Sequence, residues 1–279
     1  MLTIVSAQSD LGLINPPINT DEYNWGVEKG PQVILDSFEL QGPKIIKVFP
    51  KAANVDPTNY KTIIEKEYGD FAKTIIENHN RENKLLTLGG DHSVSYCSLK
   101  AILEIYKEKN VGIIMFDSHA DIHTWDTSPS NNFHGIWLRA VIEEMHFDPS
   151  NLLYVGNLNI EDEEREYLEQ NGVKNINRKQ YISNQDGFIQ EINDFIAKYD
   201  QMHFSFDVDM LDNSEFSATG CYINNGFTRR EVVNIFDKIN RETLQSLDLV
   251  EFNPDRSDNL TVDLDFIYRV IATLLEIPD

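Results

Sequence analysis

Short apolar, β-branched runs alternate along this sequence with longer stretches that have helical spacing. A chain that alternates in this way forms strand–helix–strand units, in which the strands are parallel and the helices cover the sheet. Strands are predicted at 2–7, 45–49, 85–89, 111–117, 151–157, 173–177, 203–209 and 244–252. Periodicity leaves two α/β architectures open, an open three-layer sheet and a closed eight-stranded barrel. Both hold their ligands at the carboxyl ends of the strands.

Helices are predicted between most of these strands. Helical spacing extends over 60–80, 95–110, 231–240 and 263–276. Thr228 and Glu231 have the spacing of a capping box, which marks the start of a helix. Because no repeat, low-complexity tract or change in composition divides the chain, we expect a single domain over residues 1–279.

Composition limits the partners and the compartment of this chain. Its 46 acidic residues outnumber its 24 Lys and Arg residues, which gives a formal net charge of -22. Nucleic-acid binding needs the opposite charge, whereas a cationic substrate or bound metal ions suit this one. No apolar run is long enough to span a membrane, and the N-terminus lacks the basic start of a signal peptide, so we expect a cytoplasmic protein. Cys97 and Cys221 have no CxxC partner and are expected to be small, partly buried fillers.

Acidic and imidazole side chains follow four of the predicted strands directly. The sequences at these strand ends are "GGDHS" (89–93), "DSHAD" (117–121), "DVD" (207–209) and "VE" (250–251). A buried strand that ends in unpaired charges is too costly to keep, so something must compensate these side chains. Since all four groups follow carboxyl ends of strands, an α/β fold can bring them together.

The side chains in these groups are typical metal ligands. Asp117, Asp121, Asp207 and Asp209 supply hard oxygens, and His92 and His119 supply imidazole nitrogens. Oxygen and imidazole without thiolate suit Mn, Fe(II) or Zn. Six ligands are more than one catalytic ion needs if it keeps an open position. Two ions about 3.5–4 Å apart account for the number, and a hydroxide that bridges them is a strong nucleophile at neutral pH.

Seven motifs occur in order along most of the chain. They are "GVEKGP" (26–31), "GGDHS" (89–93), "DSHAD" (117–121), "TSPSNNFHG" (127–135), "SFDVDMLD" (205–212), "ATGCYINNGFTRRE" (218–231) and "VEFNP" (250–254). This set resembles that of the ureohydrolases, the arginase and agmatinase family. The resemblance implies a three-layer α/β/α fold with an open, mainly parallel eight-stranded sheet, formed by a single catalytic domain. It also implies two Mn²⁺ ions on the six ligands named above, and a homo-oligomer of three or six subunits.

The resemblance further implies hydrolysis of a guanidinium or related group, usually with release of urea. Glu251 is the candidate for binding the planar cation, because a carboxylate can accept two charge-assisted hydrogen bonds from it. His134 is the candidate proton shuttle, because imidazole titrates near the working pH. With the ligand Asp121, these two form the expected catalytic group. His79 and His146 lie at polar helix ends and are expected to be exposed to solvent.

The loops that choose the substrate depart from the arginase pattern. His123 replaces an amide expected to contact the amino-acid end of arginine, whereas Ser130 keeps the serine of its loop. In the acidic loop "NIEDEE", Glu161 replaces an aspartate and Glu164 keeps a glutamate. These four residues are the expected substrate contacts, together with Glu251. Arginine is the first choice of substrate, and agmatine, a guanidino acid and formiminoglutamate are the alternatives.

Two further classes of protein are compatible with this fold. A deacetylase-like metal hydrolase would act on an amide, but such sites need fewer ligands, so His92 and Asp121 argue against it. A non-catalytic relative would normally have lost ligands, and none of the six is missing here. The sequence therefore favours a metal-dependent hydrolase of linear amidines.

Overall fold

In the computed structural model, which describes residues 1–13 and 25–277, the eight predicted strands are all present. They are β1 (Leu2–Gln8), β2 (Lys44–Val48), β3 (Lys84–Gly89), β4 (Val111–Phe116), β5 (Leu152–Val155), β6 (Lys174–Ile176), β7 (Gln201–Asp207) and β8 (Leu244–Val250). They form one sheet in the order β2-β1-β3-β8-β7-β4-β5-β6, and every neighbouring pair is parallel.

Helices connect the strands and include those predicted from the sequence. The described helices are α1 (Gly30–Ser37), α2 (Tyr60–Asn78), α3 (Ser95–Ile105), α4 (Trp137–Met145), α5 (Asp162–Gln170), α6 (Arg178–Ser183), α7 (Gln185–Ile196), α8 (Arg229–Lys238) and α9 (Leu260–Leu275). The capping box predicted at Thr228 and Glu231 is confirmed at the start of α8. The helix predicted over 95–110 is too long, because α3 ends at Ile105 and a turn follows it.

Helices cover both faces of the sheet. Along β4, Ile114 and Phe116 pack into one apolar layer, and Ile113 and Met115 pack into the other. Strands buried on both faces read as continuous apolar runs, which is why "VGIIMF" shows no alternation of polar and apolar residues. The sheet is open, since β2 and β6 each pair with one neighbour, so the three-layer architecture is confirmed and the closed barrel is wrong.

The strand order explains where the acidic groups meet. The strands β3, β8, β7 and β4 are consecutive neighbours in the middle of the sheet. Each of them precedes one of the four groups found in the sequence, so the parallel arrangement brings all four groups to the same edge.

The described helices include none that is both long enough and apolar enough to cross a lipid bilayer. The single domain expected over residues 1–279 includes 14–24 and 278–279, which lie outside the described residues.

Candidate metal centre and active site

Four donor atoms converge at the carboxyl ends of β3, β4 and β7. Nδ1 of His92 lies 3.0 Å from Oδ2 of Asp121 and 3.1 Å from Oδ2 of both Asp117 and Asp207. These four side chains come from three separate parts of the sequence and are buried. One nitrogen and three carboxylate oxygens around one point form a ligand set that suits a divalent ion such as Mn²⁺.

A second group of donors lies beside the first. Nδ1 of His119 is 2.9 Å from Oδ2 of Asp209 and 3.8 Å from Oδ1 of Asp117. Asp117 therefore presents one oxygen to each group, as a carboxylate between two ions would. Ligand atoms of His119, Asp209 and Cys221 all lie within 4.8 Å of one another. The six expected ligands thus meet in two adjoining groups.

The buried polar atoms and the pKa values of these carboxylates indicate a site that binds cations. Nδ1 of His92 and Oδ2 of Asp117 are both buried and lie 3.1 Å apart, yet among the described residues neither atom makes a well-aligned hydrogen bond. Burial and the nearby Asp209 raise the pKa of Asp117 to about 7. Burial, followed by Asp209 and Asp117, raises the pKa of Asp207 well above its usual value. Carboxylates that repel one another in a dry site need cations to remain ionised, so the residues present fit a pair of divalent ions.

Neighbouring polar groups hold the two histidine-containing groups in place. The hydroxyl of Ser205 lies 2.8 Å from Nε2 of His92, which leaves Nδ1 turned towards the three carboxylates. The hydroxyl of Ser118 donates to Oδ1 of Asp209 at 2.7 Å. The backbone N–H of His119 donates to Oδ1 of Asp117 at 2.7 Å. Such partners orient metal ligands and set their affinity for the ion.

Trp137 supports Asp121 from the first turn of α4. Its indole N–H donates to Oδ2 of Asp121 at 2.9 Å, and its ring centroid is 5.0 Å from that of His92. The sequence analysis assigned no function to Trp137, Ser118 or Ser205. Their signal in the sequence was weak, because nothing in the spacing of Trp137 from the acidic motifs indicates this contact.

A cavity of about 320 Å³ opens over the two groups. Eleven of the twelve site residues expected from the sequence line it, and the exception, Asp117, lies buried behind His92. The lining residues from that set are His92, His119, Asp121, His123, Ser130, His134, Glu161, Glu164, Asp207, Asp209 and Glu251. Cys221 lines the cavity as well, although the sequence analysis expected only a filler there. A cavity of this volume accommodates a small molecule.

Glu251 and His134, the two other expected catalytic residues, both line this cavity. Oε1 of Glu251 accepts a hydrogen bond of 2.7 Å from the backbone N–H of His92, which fixes the carboxylate beside the first group. Burial lowers the pKa of His134 and Asp121 raises it, and the net result is a pKa of about 4. The ring is therefore neutral near pH 7. A neutral imidazole can take up a proton and can pass one on.

The expected substrate contacts form an acidic wall at one side of the cavity. Nε2 of His123 lies 3.5 Å from Oε2 of Glu164 and 3.7 Å from Oε2 of Glu161. Glu164 is buried and accepts hydrogen bonds from the backbone N–H groups of Ile122 and Glu161, whereas Glu161 itself is exposed. Ser130 lines the cavity beside them. The described lining residues include no lysine or arginine, so the wall favours a substrate that carries positive charge.

This chain is similar in sequence to proteins of one family. A family model described as "Arginase family" matches residues 9–272. A curated protein named arginase from Entamoeba histolytica is 26% identical over 267 residues, which cover 85% of this chain and 88% of that protein.

Solved structures share the fold. The crystal structure of Entamoeba histolytica arginase in complex with L-ornithine matches with a TM-score of 0.82 and 23% identity, over 99% of this chain and 98% of that chain. The formimidoylglutamase of Bacillus subtilis matches with a TM-score of 0.74 and 17% identity, over 99% of this chain and 85% of that chain. At these identities the structural matches establish the fold of the chain.

Proposed function

Since this chain belongs to the arginase family, we propose that it hydrolyses arginine to ornithine and urea at a binuclear manganese centre. The reaction class, hydrolysis of a carbon–nitrogen bond in an amidine, follows from the family. The observation that carries the proposal is the convergence of three carboxylate oxygens within 3.1 Å of Nδ1 of His92, beside a second group around His119.

Six residues would hold the two ions. They are His92, Asp117, His119, Asp121, Asp207 and Asp209. Four aspartates balance the charge of two divalent cations, and oxygen with imidazole is a ligand set that Mn²⁺ accepts. When bound, the pair of ions supplies a nucleophile from water at neutral pH.

Glu251 has the task of orienting the guanidinium group. Its carboxylate lines the cavity, and the hydrogen bond from the backbone N–H of His92 limits the directions in which it can point. A planar cation that donates two parallel hydrogen bonds to a fixed carboxylate is held with its carbon in one position. His134, neutral in this pocket, has the task of moving a proton to the leaving nitrogen.

The tail of the substrate would lie against the residues at the wall of the cavity. Glu161 and Glu164 carry the charge that an α-ammonium group requires, and Ser130 offers a hydroxyl to the α-carboxylate. His123, with Nε2 near both glutamates, contributes the remaining contact. Arginine is preferred because the segment "TSPSNNFHG", which carries Ser130, resembles the arginase loop.

Agmatine is the second candidate. It lacks the carboxylate of arginine and keeps a cation at each end. The described lining residues offer two glutamates at the wall and no basic side chain, which suits a second cation better than an anion. A guanidino acid and formiminoglutamate are the remaining alternatives within the family.

A product screen tests the proposal. The protein loaded with Mn²⁺ is offered arginine, agmatine, guanidinobutyrate and formiminoglutamate, and urea and ammonia are measured. We expect urea from arginine, and we expect no release from His119→Ala or Asp121→Ala, because each lacks a ligand. His146→Ala is the matched control, since His146 is exposed at the end of α4 and its loss should leave activity unchanged.

The pattern of products separates the alternatives. Urea from agmatine alone would replace arginine as the substrate, and ammonia from formiminoglutamate without urea would assign formimidoylglutamase activity. Silence with all four compounds would contradict the proposal and favour a deacetylase-like or non-catalytic protein.

We extend the proposal to the whole molecule. The chain is one catalytic domain over residues 1–279, and it assembles into a homo-oligomer of three or six subunits in the cytoplasm. Light scattering and cell fractionation test the last two statements.

A further inference from the structure

The sulfur of Cys221 lies among donors of the second group. Cys221 follows β7 by fourteen residues, in the segment whose ends are tied by bridges from Leu211 to Phe227 and from Asp212 to Ile223. Its sulfur, a ring nitrogen of His119 and a carboxylate oxygen of Asp209 all lie within 4.8 Å of one another. Three donors at these separations can bind one ion with small movements of their side chains.

A second observation places these donors in the same space. Cys221, His119 and Asp209 all line the cavity that opens over the two groups. Asp117, which is fully buried, approaches Nδ1 of His119 through Oδ1. The thiol therefore shares the cavity with the ligands proposed for the second ion.

The position of Cys97 excludes a disulfide with Cys221. Cys97 is buried in α3, where its sulfur donates to the backbone oxygen of Tyr68. A nearby cation would favour the thiolate form of Cys221.

We propose that Cys221 supplies a thiolate ligand to the ion held by His119 and Asp209, which gives this subsite a preference for thiophilic divalent ions. This inference rests on the proposed function, since it needs the two-ion centre. As the sulfur–metal bond forms, the thiol proton passes to solvent, and no electron is transferred. Thiolate is a soft ligand, so Zn²⁺, Co²⁺ and Cd²⁺ gain more from it than Mn²⁺ does.

Cobalt provides a direct test that does not depend on activity. The metal-free protein is titrated with Co²⁺, and its absorption is recorded in the visible and near ultraviolet. We expect visible ligand-field bands in all proteins, with a sulfur-to-cobalt charge-transfer band in the wild type and in Cys97→Ser. We expect Cys221→Ser to keep the visible bands and to lose the charge-transfer band.

Two negative results are possible, and each would contradict a different proposal. Visible bands without any charge-transfer band in the wild type would overturn the sulfur ligand and leave the two-ion centre intact. A wild type without any cobalt bands would contradict the proposed function itself. Circular dichroism checks folding, and Cys221→Thr replaces Cys221→Ser if the serine variant does not fold.

Metal affinities give a second readout. We expect Cys221→Ser to raise the Kd for Cd²⁺ by at least about tenfold, the effect expected when a group that sets metal affinity is lost. The Kd for Mn²⁺ should change by less than about threefold, because a hard ion gains little from sulfur. Equal changes for Cd²⁺ and Mn²⁺ would overturn the preference for thiophilic ions.

Discussion

Two acidic residues of the centre adopt a backbone conformation that few non-glycine residues take. Asp121 has φ of 53° and Glu251 has φ of 64°, both in the left-handed region. Such positions cost about 1–3 kcal/mol each and persist only where the surroundings hold them. The hydroxyl of Tyr154 donates to the carbonyl of Ala120 at 2.6 Å, and Glu164 accepts the N–H of Ile122, so the chain is held on both sides of Asp121. These two contacts hold the backbone on both sides of Asp121 and so position its carboxylate.

Trp137→Phe removes the indole N–H from Oδ2 of Asp121 and keeps an aromatic ring in the core. We expect the Kd for Mn²⁺ to rise by about 10–100-fold, the usual effect of losing a partner of a metal ligand. Isothermal titration with Mn²⁺ measures this change. Trp125→Phe is the control, because the ring of Trp125 packs against Phe133 and Tyr60, and neither of these is a proposed metal ligand. Equal affinities of Trp137→Phe and wild type would show that the hydrogen bond is not needed.

His79 contradicts the expectation of a solvated side chain. It directly follows α2 as the C-cap residue but is buried, and neither ring nitrogen has a hydrogen-bond partner among the described residues. Burial lowers its pKa to about 4. The folded state therefore resists protonation that the unfolded state accepts near pH 6.5, and stability is lost as the pH falls from about 6.5 to about 4.

Replacing His79 should weaken that pH dependence. We expect the free energy of unfolding of His79→Leu to fall less steeply than that of the wild type between pH 6.5 and 4. Urea unfolding at several pH values measures both slopes. If the free energy of unfolding fell equally steeply with pH in both proteins, His79 would have to take up its proton in the folded state as readily as in the unfolded state.

At the scale of whole elements, close contacts between strand ends position the ligands. Gly156 follows β5, and a Cβ atom there would lie 1.7 Å from the backbone oxygen of Asp117, at the end of β4. A Cβ atom added to Gly69, inside α2, would meet no other described atom within 4 Å apart from the neighbouring backbone of its own helix. The two glycines therefore differ in what a methyl group would do.

Gly156→Ala should force the ends of β4 and β5 apart and move Asp117. We expect loss of stability of about 1–3 kcal/mol, as for other overpacked sites, and weaker Mn²⁺ binding. Gly69→Ala should instead stabilise the protein by about 0.5–1 kcal/mol and leave metal binding unchanged. Thermal unfolding and metal titration measure both variants. Unchanged metal binding in Gly156→Ala would show that the position of Asp117 does not depend on close packing at the end of β5.

At the scale of the molecule, the two proposed ions would join the central strands β3, β4 and β7 through ligands at their carboxyl ends. The six proposed ligands lie at or just beyond the carboxyl ends of β3, β4 and β7, and the net charge of -22 makes any uncompensated acid there more costly. Ions that bind the folded chain alone stabilise it by mass action. The metal centre should therefore contribute to the stability of the whole sheet.

Removal of the ions should lower the melting temperature. Each ion at a hundred times its Kd contributes about 2.7 kcal/mol, so we expect a clear decrease after chelation and recovery when Mn²⁺ is added back. Differential scanning calorimetry measures both steps. His119→Ala should recover less than the wild type. A melting temperature that does not respond to chelation or to Mn²⁺ would contradict the two-ion centre.

The sequence by itself determined the elements and the type of chemistry. The strand runs, the capping box at Thr228 and the acidic motifs after the strands depend on neighbours along the chain, and such local preferences are visible in the order of residues. The parallel sheet followed from alternation. The choice between an open sheet and a barrel did not, because both bury each strand on two faces.

The tertiary structure decided which side chains meet. The order β3-β8-β7-β4 puts donors from distant segments within 3.1 Å of His92, and no spacing along the chain encodes that distance. It also brought in Trp137 and Cys221, for which the sequence predicted no function in the site. The same packing buried His79 at a helix end that looked polar. Contacts between elements depend on how whole surfaces pack, and that information exists only once the chain has folded.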